Sequence, residues 1–199
     1  HFSDYFLTLF FIPFIARKIG VIEFGKIGLA QAFGVFILLF MDFGSPLMAT
    51  REISRIKNNQ AKLKVFLESV FHSKLFLLPI VFLVVFIMIF SVPFFIENIK
   101  YILIVILGSV FQGFSPIWYF HGIENMKIVS LAKILFRTIG FLIIIIFVKS
   151  PLDSWIVLSS FTLSSALMCF YLNYKMIMKV GSLKLRHPKK IFSIYRKSF

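Results

Sequence analysis

Lys133 and Arg137 stand one helical turn apart in the apolar run IVSLAKILFRTIGFLIIIIF, and Ser130 and Gly140 continue the same three-or-four-residue spacing. A charge at the centre of a membrane span costs roughly 2.5–3.5 kcal/mol on insertion scales, so such residues face a cavity or a partner. Two cations on one helix face suit an anion, because Lys and Arg neutralise phosphate and Arg grips it with a planar fork. In a second run Gln31, Gly34, Leu38, Asp42 and Ser45 share a face, and in a third Glu68 and His72 are one turn apart with Lys74 beside them. These groups have the chemistry of ion coupling or of helix pairing. Three spans thus each carry a polar stripe, as the walls of a water-filled cavity would. The ordinary alternatives are snorkelling of Glu68 and Lys133 to the interface, and for Asp42 a neighbouring Lys or a helix break before Gly44, Ser45 and Pro46.

Other chemistry is thinly represented. His121 and Glu124 alone resemble an acid–base pair near a membrane edge. His1, His72, His121 and His187 have no paired metal-ligand spacing, and Cys169 lies inside an apolar run where it packs. No phosphate-binding loop, nucleophile elbow or HExxH pair occurs, so the expectation is no catalytic residue, no metal and no cofactor.

The elements that must position these groups are membrane helices. Hydrophobic residues make up 59% of the 199-residue chain and charged ones only 15%, against about a quarter charged in soluble domains; mean hydropathy is +0.94. Candidate spans cover residues 2–16 (incomplete), 27–50, 65–90, 100–123, 128–148 and 155–175. Barrel strands would alternate apolar and polar residues, and FLLPIVFLVVFIMIF does not. The expected fold is all-α: one polytopic transmembrane bundle of about six spans over residues 1–199. Pro13, Pro46, Pro79, Pro93 and Pro116, with Gly34, Gly44, Gly108, Gly113 and Gly140, lie in or beside the spans and favour bent, closely packed helices.

The net charge of +14 does not point to nucleic acid, because the cations crowd into connections between apolar runs. Residues 51–64 hold Arg51, Arg55, Lys57, Lys62 and Lys64, and eight more follow from residue 175. The positive-inside rule makes these segments cytoplasmic, with both ends of the chain inside. A first residue other than Met, and a closing KKIFSIYRKSF that reads as the approach to another span, suggest a chain cut at both ends. The segment FSPIWYFHGIENMK falls at the cytoplasmic end of span four. There Trp118 and Tyr119 read as interface anchors, Gly122 as the residue that ends or turns the helix, and Glu124 as the holder of the turn.

Two ordered sets of motifs carry a family resemblance. The first is ARKIGVIEFGKIGLAQAF with DFGSPLMATREISRIKNN, containing Gly20, Gly25, Gly44 and Arg51; the second is PIWYFHGIENMK with FVKSPLDSW, containing Trp118, Gly122 and Glu124. Together they resemble the polysaccharide biosynthesis proteins that include the O-antigen (Wzx-type) flippases, within the multidrug/oligosaccharidyl-lipid/polysaccharide exporter superfamily. The departures are His121, where Gln is more usual, and Val21–Ile22, where Gly-Pro is. The resemblance implies the first lobe of a two-lobed, alternating-access transporter of the bacterial inner membrane. Its substrate would be a polyprenyl-diphosphate-linked oligosaccharide, with a polysaccharide polymerase and a chain-length regulator as partners. Arg137 and Lys133 would meet the diphosphate or acidic sugars, and Asp42, Glu68 and His72 would serve ion coupling or pairing. An ion-coupled drug exporter of the same superfamily and a membrane-embedded glycosyl or acyl transferase are the rival readings.

Overall fold

A computed structural model describes residues 2–42 and 45–181, with side chains from residue 12 onward except Ser45. Gly44 and the closing basic segment lie outside the described residues. Within them all regular structure is helical: α1 (Phe2–Asp42), α2 (Ser45–Ile56), α3 (Gln60–Ser91), α4 (Pro93–Glu97), α5 (Ile99–Gly113), α6 (Ile117–Gly122), α7 (Met126–Phe147) and α8 (Ser154–Val180), with one 3-10 turn at Pro151–Asp153. Helices satisfy every backbone group within the segment, which lipid cannot do for them.

The spans differ from expectation in three places. Residues 17–26, expected as a loop, are helical except at Gly20, whose φ of 82° and ψ of 163° break α1 into two helices. That φ is one L side chains rarely adopt. Span two does not run to residue 50: α1 ends at Asp42, and α2 is a separate helix. Span four is broken between Gly113 and Ile117, where Pro116 has no N–H to continue the ladder. Five long apolar stretches result among the described residues, Ile12–Asp42, Gln60–Ser91, Ile99–Gly122, Met126–Phe147 and Pro151–Val180, the first continuing the helix that precedes Gly20.

Local chemistry fixes the connections. Asn59 caps α3 by accepting from the Lys62 N–H at 3.0 Å. Asp153 accepts from the N–H groups of Lys149 and Ser150 and from the Ser150 hydroxyl, which closes the VKSPLD turn ahead of α8. The end of α6 is a Schellman turn: the Asn125 N–H reaches the Phe120 carbonyl and the Glu124 N–H reaches that of His121. α6 ends at Gly122 as expected, and the left-handed position beyond it is Glu124, with φ 59°.

Glu23, Tyr101 and Ser154 meet at one end of the bundle. Met41 lies against Gly113, and Asn173 donates to the Phe114 carbonyl, near the other. The second half of α1 therefore runs parallel to α5 and α8. One apolar cluster, including Ile27, Phe33, Ile102, Val105, Ile144 and Val157, fills the Glu23 end, and a second, including Ile53, Leu67, Trp118, Phe120, Leu172 and Met176, fills the α6 end. Small residues let the helices close up, as is usual where lipid removes the hydrophobic drive between helices. A Cβ on Gly34 would meet Val105, on Gly108 Thr162, and on Gly140 Ser164. Leu83, Phe86, Phe90, Leu107 and Phe170 remain on the outer surface, where a hydrocarbon environment suits them.

Trp118 and Tyr119 are not interface anchors. They are 4% and 1% exposed, buried with Phe120 among α2, α3, α7 and α8. The α2 helix lies on α6: the Thr50 hydroxyl contacts the Trp118 carbonyl at 3.2 Å, and Ile53 sits where a Gly122 side chain would be. Gly122 is thus required by contact. A Cβ there would come within 2.6 Å of Ile53 Cγ2 and 3.0 Å of the Thr50 carbonyl oxygen. Gly122→Ala is expected to cost about 1–3 kcal/mol through overpacking, read as a lowered melting temperature of the purified protein.

Lys57 ties the same turn to the end of α2 by a 2.9 Å ion pair with Glu124. The hydrogen bond and charge of Lys57 hold the Glu124 carboxyl below its ordinary range. A depressed carboxyl contributes stability at neutral pH and loses it as pH falls through the folded-state value. The melting-temperature difference between the wild type and Glu124→Gln is therefore expected to be small at pH 7, since the pair is exposed, and to shrink to zero in acid.

Candidate functional site

Between α1, α5, α7 and α8 lies a cavity of about 560 Å³ whose lining includes Gln31, Ser109, Gln112, Ser115, Lys133, Phe136, Arg137, Phe161 and Thr162. Arg137 is at the middle of the 22-residue α7, roughly 17 Å along it at 1.5 Å per residue. Lys133 is one turn nearer the α6 end. Both are half-buried, so the cations are held at membrane depth with access to the cavity. Low local dielectric strengthens their pull on an anion.

Of the residues singled out by spacing, the cavity gathers Gln31, Gly34, Lys133 and Arg137. Asp42 is placed elsewhere. Its carboxylate pairs with Lys74 at 2.9 Å, and the Lys74 side chain is only 3% exposed. The same ammonium donates to the Gly113 carbonyl, at the C-terminal end of α5, where the helix dipole also favours a cation. One lysine thus joins the ends of α1 and α5 to the middle of α3. Glu68 is buried, and the His72 ring nitrogen Nδ1 lies 2.7 Å from the Glu68 backbone carbonyl. A carbonyl oxygen only accepts, so Nδ1 carries the proton in that contact. Of the α3 stripe, Lys74 reaches the α1–α5 junction, and α5 and α8 supply the remaining cavity walls.

Some residues with roles here were not found by spacing. Ser109 and Gln112 on α5 and Ser115 just beyond its end recur every three residues, a stripe visible in the sequence. On α8 the hydroxyls of Thr162 and Ser164 are used to hold neighbours, donating to the carbonyls of Ile104 and Phe136. At the far end Glu23 gathers Lys26 at 2.7 Å, the Tyr101 hydroxyl at 2.7 Å and the Ser154 hydroxyl at 3.0 Å, so it staples α1 to α5 and α8. Tyr101 and Ser154 also bond each other, and Lys100 stacks on Trp155 with its ammonium 4.1 Å from the ring centre.

The remaining motif residues Gly25 and Arg51 lie within α1 and α2. Arg51 is exposed on α2. A Cβ on Gly25 would meet nothing within 4 Å, and nothing in the structure explains that glycine.

Apolar helices of spanning length, broken at Gly20 and at Phe114–Pro116 and packed around a cation-lined cavity, define a multi-pass membrane protein. The chain belongs to the polysaccharide biosynthesis protein family, whose family model matches residues 1–199. It is 30% identical over 164 residues to a protein of Escherichia coli (strain K12) named "Putative O-antigen transporter", a match covering 82% of this chain and 39% of that protein. A protein of Shigella dysenteriae with the same name is 26% identical over 156 residues, covering 77% of this chain and 38% of the relative. The chain thus spans about two fifths of the length of these relatives. No solved structure matches it significantly.

Proposed function

We propose that this chain forms the first lobe of a flippase that carries a polyprenyl-diphosphate-linked oligosaccharide repeat unit across the bacterial inner membrane. The observation that carries the reading is the pair Lys133 and Arg137, one turn apart at mid-span on the wall of a cavity. A diphosphate is the part of such a substrate that membrane passage penalises most, and fixed cations at depth offset that penalty. Family membership and the relatives' transporter names support the same reading.

The α6 end, with Arg51, Arg55, Lys57, Lys62, Lys64 and Lys127, would face the cytoplasm, and the Glu23 end the opposite side. Breaks at Gly20 and at Phe114–Pro116 supply places where helices can bend between inward and outward access. Polymerase and chain-length regulator would act on the unit after it crosses.

The test is where the substrate accumulates. A strain lacking the protein should hold its lipid-linked repeat units in the inner leaflet, shielded from a sugar-modifying reagent added outside spheroplasts, and the restored gene should expose them. Equal exposure with and without the protein would overturn the proposal.

A further inference from the structure

Ser115 sits in the three-residue break between α5 and α6, within the apolar stretch Ile99–Gly122. It is 5% exposed, lines the cavity, and its hydroxyl has no hydrogen-bond partner among the described residues. Leaving a buried hydroxyl unpaired is costly, so such a group calls for a partner from outside the chain. Its surroundings show what kind of partner. The Ser115 N–H is already spent on the Gln112 carbonyl, the Phe114 carbonyl on Asn173, and the Gly113 carbonyl on Lys74. The backbone of the break is therefore held in place from behind, and the hydroxyl is the polar atom it offers.

Gln112, one turn earlier on the same wall, and Gln31 on α1 add neutral amides to the lining. Amide and hydroxyl groups both donate and accept, which matches the hydroxyls and acetamido groups of a sugar. A diphosphate offers acceptors only and is served by Lys133 and Arg137 on α7.

We propose that Ser115, with Gln112 and Gln31, forms a neutral subsite that hydrogen-bonds the carbohydrate part of the cargo, separate in chemistry from the cationic face of α7. This rests on the flippase reading above and assigns Ser115 as a specificity-determining residue. Broken helices place polar groups at the midplane sites of other transporter folds for the same physical reason: irregular backbone is tolerated in the membrane only where it is buried in protein or lines a cavity.

The experiment compares two probes on the purified full-length protein, a polyprenyl diphosphate carrying the host strain's repeat unit and the bare polyprenyl diphosphate. Ser115→Ala should weaken binding of the glycosylated probe by about three- to tenfold, one net hydrogen bond, and leave the bare probe unchanged. Its melting temperature without ligand should be unchanged or raised, because the variant removes an unpaired group. Equal loss for both probes, or no loss for either, would overturn the subsite while leaving the flippase intact. Failure of the wild type to bind either probe would overturn both.

Discussion

Replacing Arg137 by Ala should lower surface polysaccharide at least tenfold at normal expression, with the protein still inserted and folded. A charge-assisted hydrogen bond is worth about 1.5–3 kcal/mol, and each 1.4 kcal/mol is a factor of ten. Arg137 lies at the centre of α7, where water competes least for the substrate's charge. Arg137→Lys should be intermediate, since it keeps the charge and loses the planar fork, and Arg137→Glu should abolish transport. Lys133→Ala should be milder, because Lys133 is a turn closer to the end of α7. The measurement is surface polysaccharide by gel or antibody, normalised to protein in the membrane. A fall in melting temperature matching the loss of polysaccharide in Arg137→Ala would assign the residue to folding instead.

Lys74→Ala should destabilise the purified protein by about 3 kcal/mol. Breaking a buried ion pair by removing one partner costs about 3–5 kcal/mol; the low end applies because the Asp42 side chain keeps 30% exposure. The loss has two parts: a carboxylate left without its cation, and a buried Gly113 carbonyl at the end of α5 left without its donor. Asp42→Asn alone should cost less, since Lys74 keeps the Gly113 carbonyl. The double variant Asp42→Asn with Lys74→Ala should lose less than the sum of the two single variants, because it leaves no uncompensated charge in the membrane. Thermal unfolding in one detergent reads all four proteins. Additive losses would show that the two groups do not act as a pair.

The parts legible in the sequence were those that repeat along one helix. Long apolar runs gave the spans, and the Lys133–Arg137 spacing put two cations on the face that does line the cavity. What needed the structure were contacts between helices far apart in the chain. Asp42 and Lys74 are 32 residues apart, and no single-helix periodicity pairs them; their stripes looked like cavity walls because a buried pair and a wet wall have the same signature in one dimension. Trp118 and Tyr119 fall at a span end, where an aromatic belt is the usual reading. The folding of α2 onto α6 buries them, and the end of α1 at Asp42 that permits it was visible only as the following Gly-Ser-Pro. Glu124 in the left-handed position went unseen because Gly122, two residues earlier, is the residue type that normally takes it.

The most direct measurement is site-specific photocrosslinking to the lipid-linked repeat unit in membranes. A photoreactive phenylalanine at Phe136, on the cavity wall beside Arg137, should label the diphosphate-linked oligosaccharide, and Arg137→Ala should remove most of that label. The same probe at Phe86, which faces outward from α3, should give only background label, unaffected by Arg137. Equal labelling from the two positions, or labelling at Phe136 that persists without Arg137, would contradict a cationic binding site in this cavity.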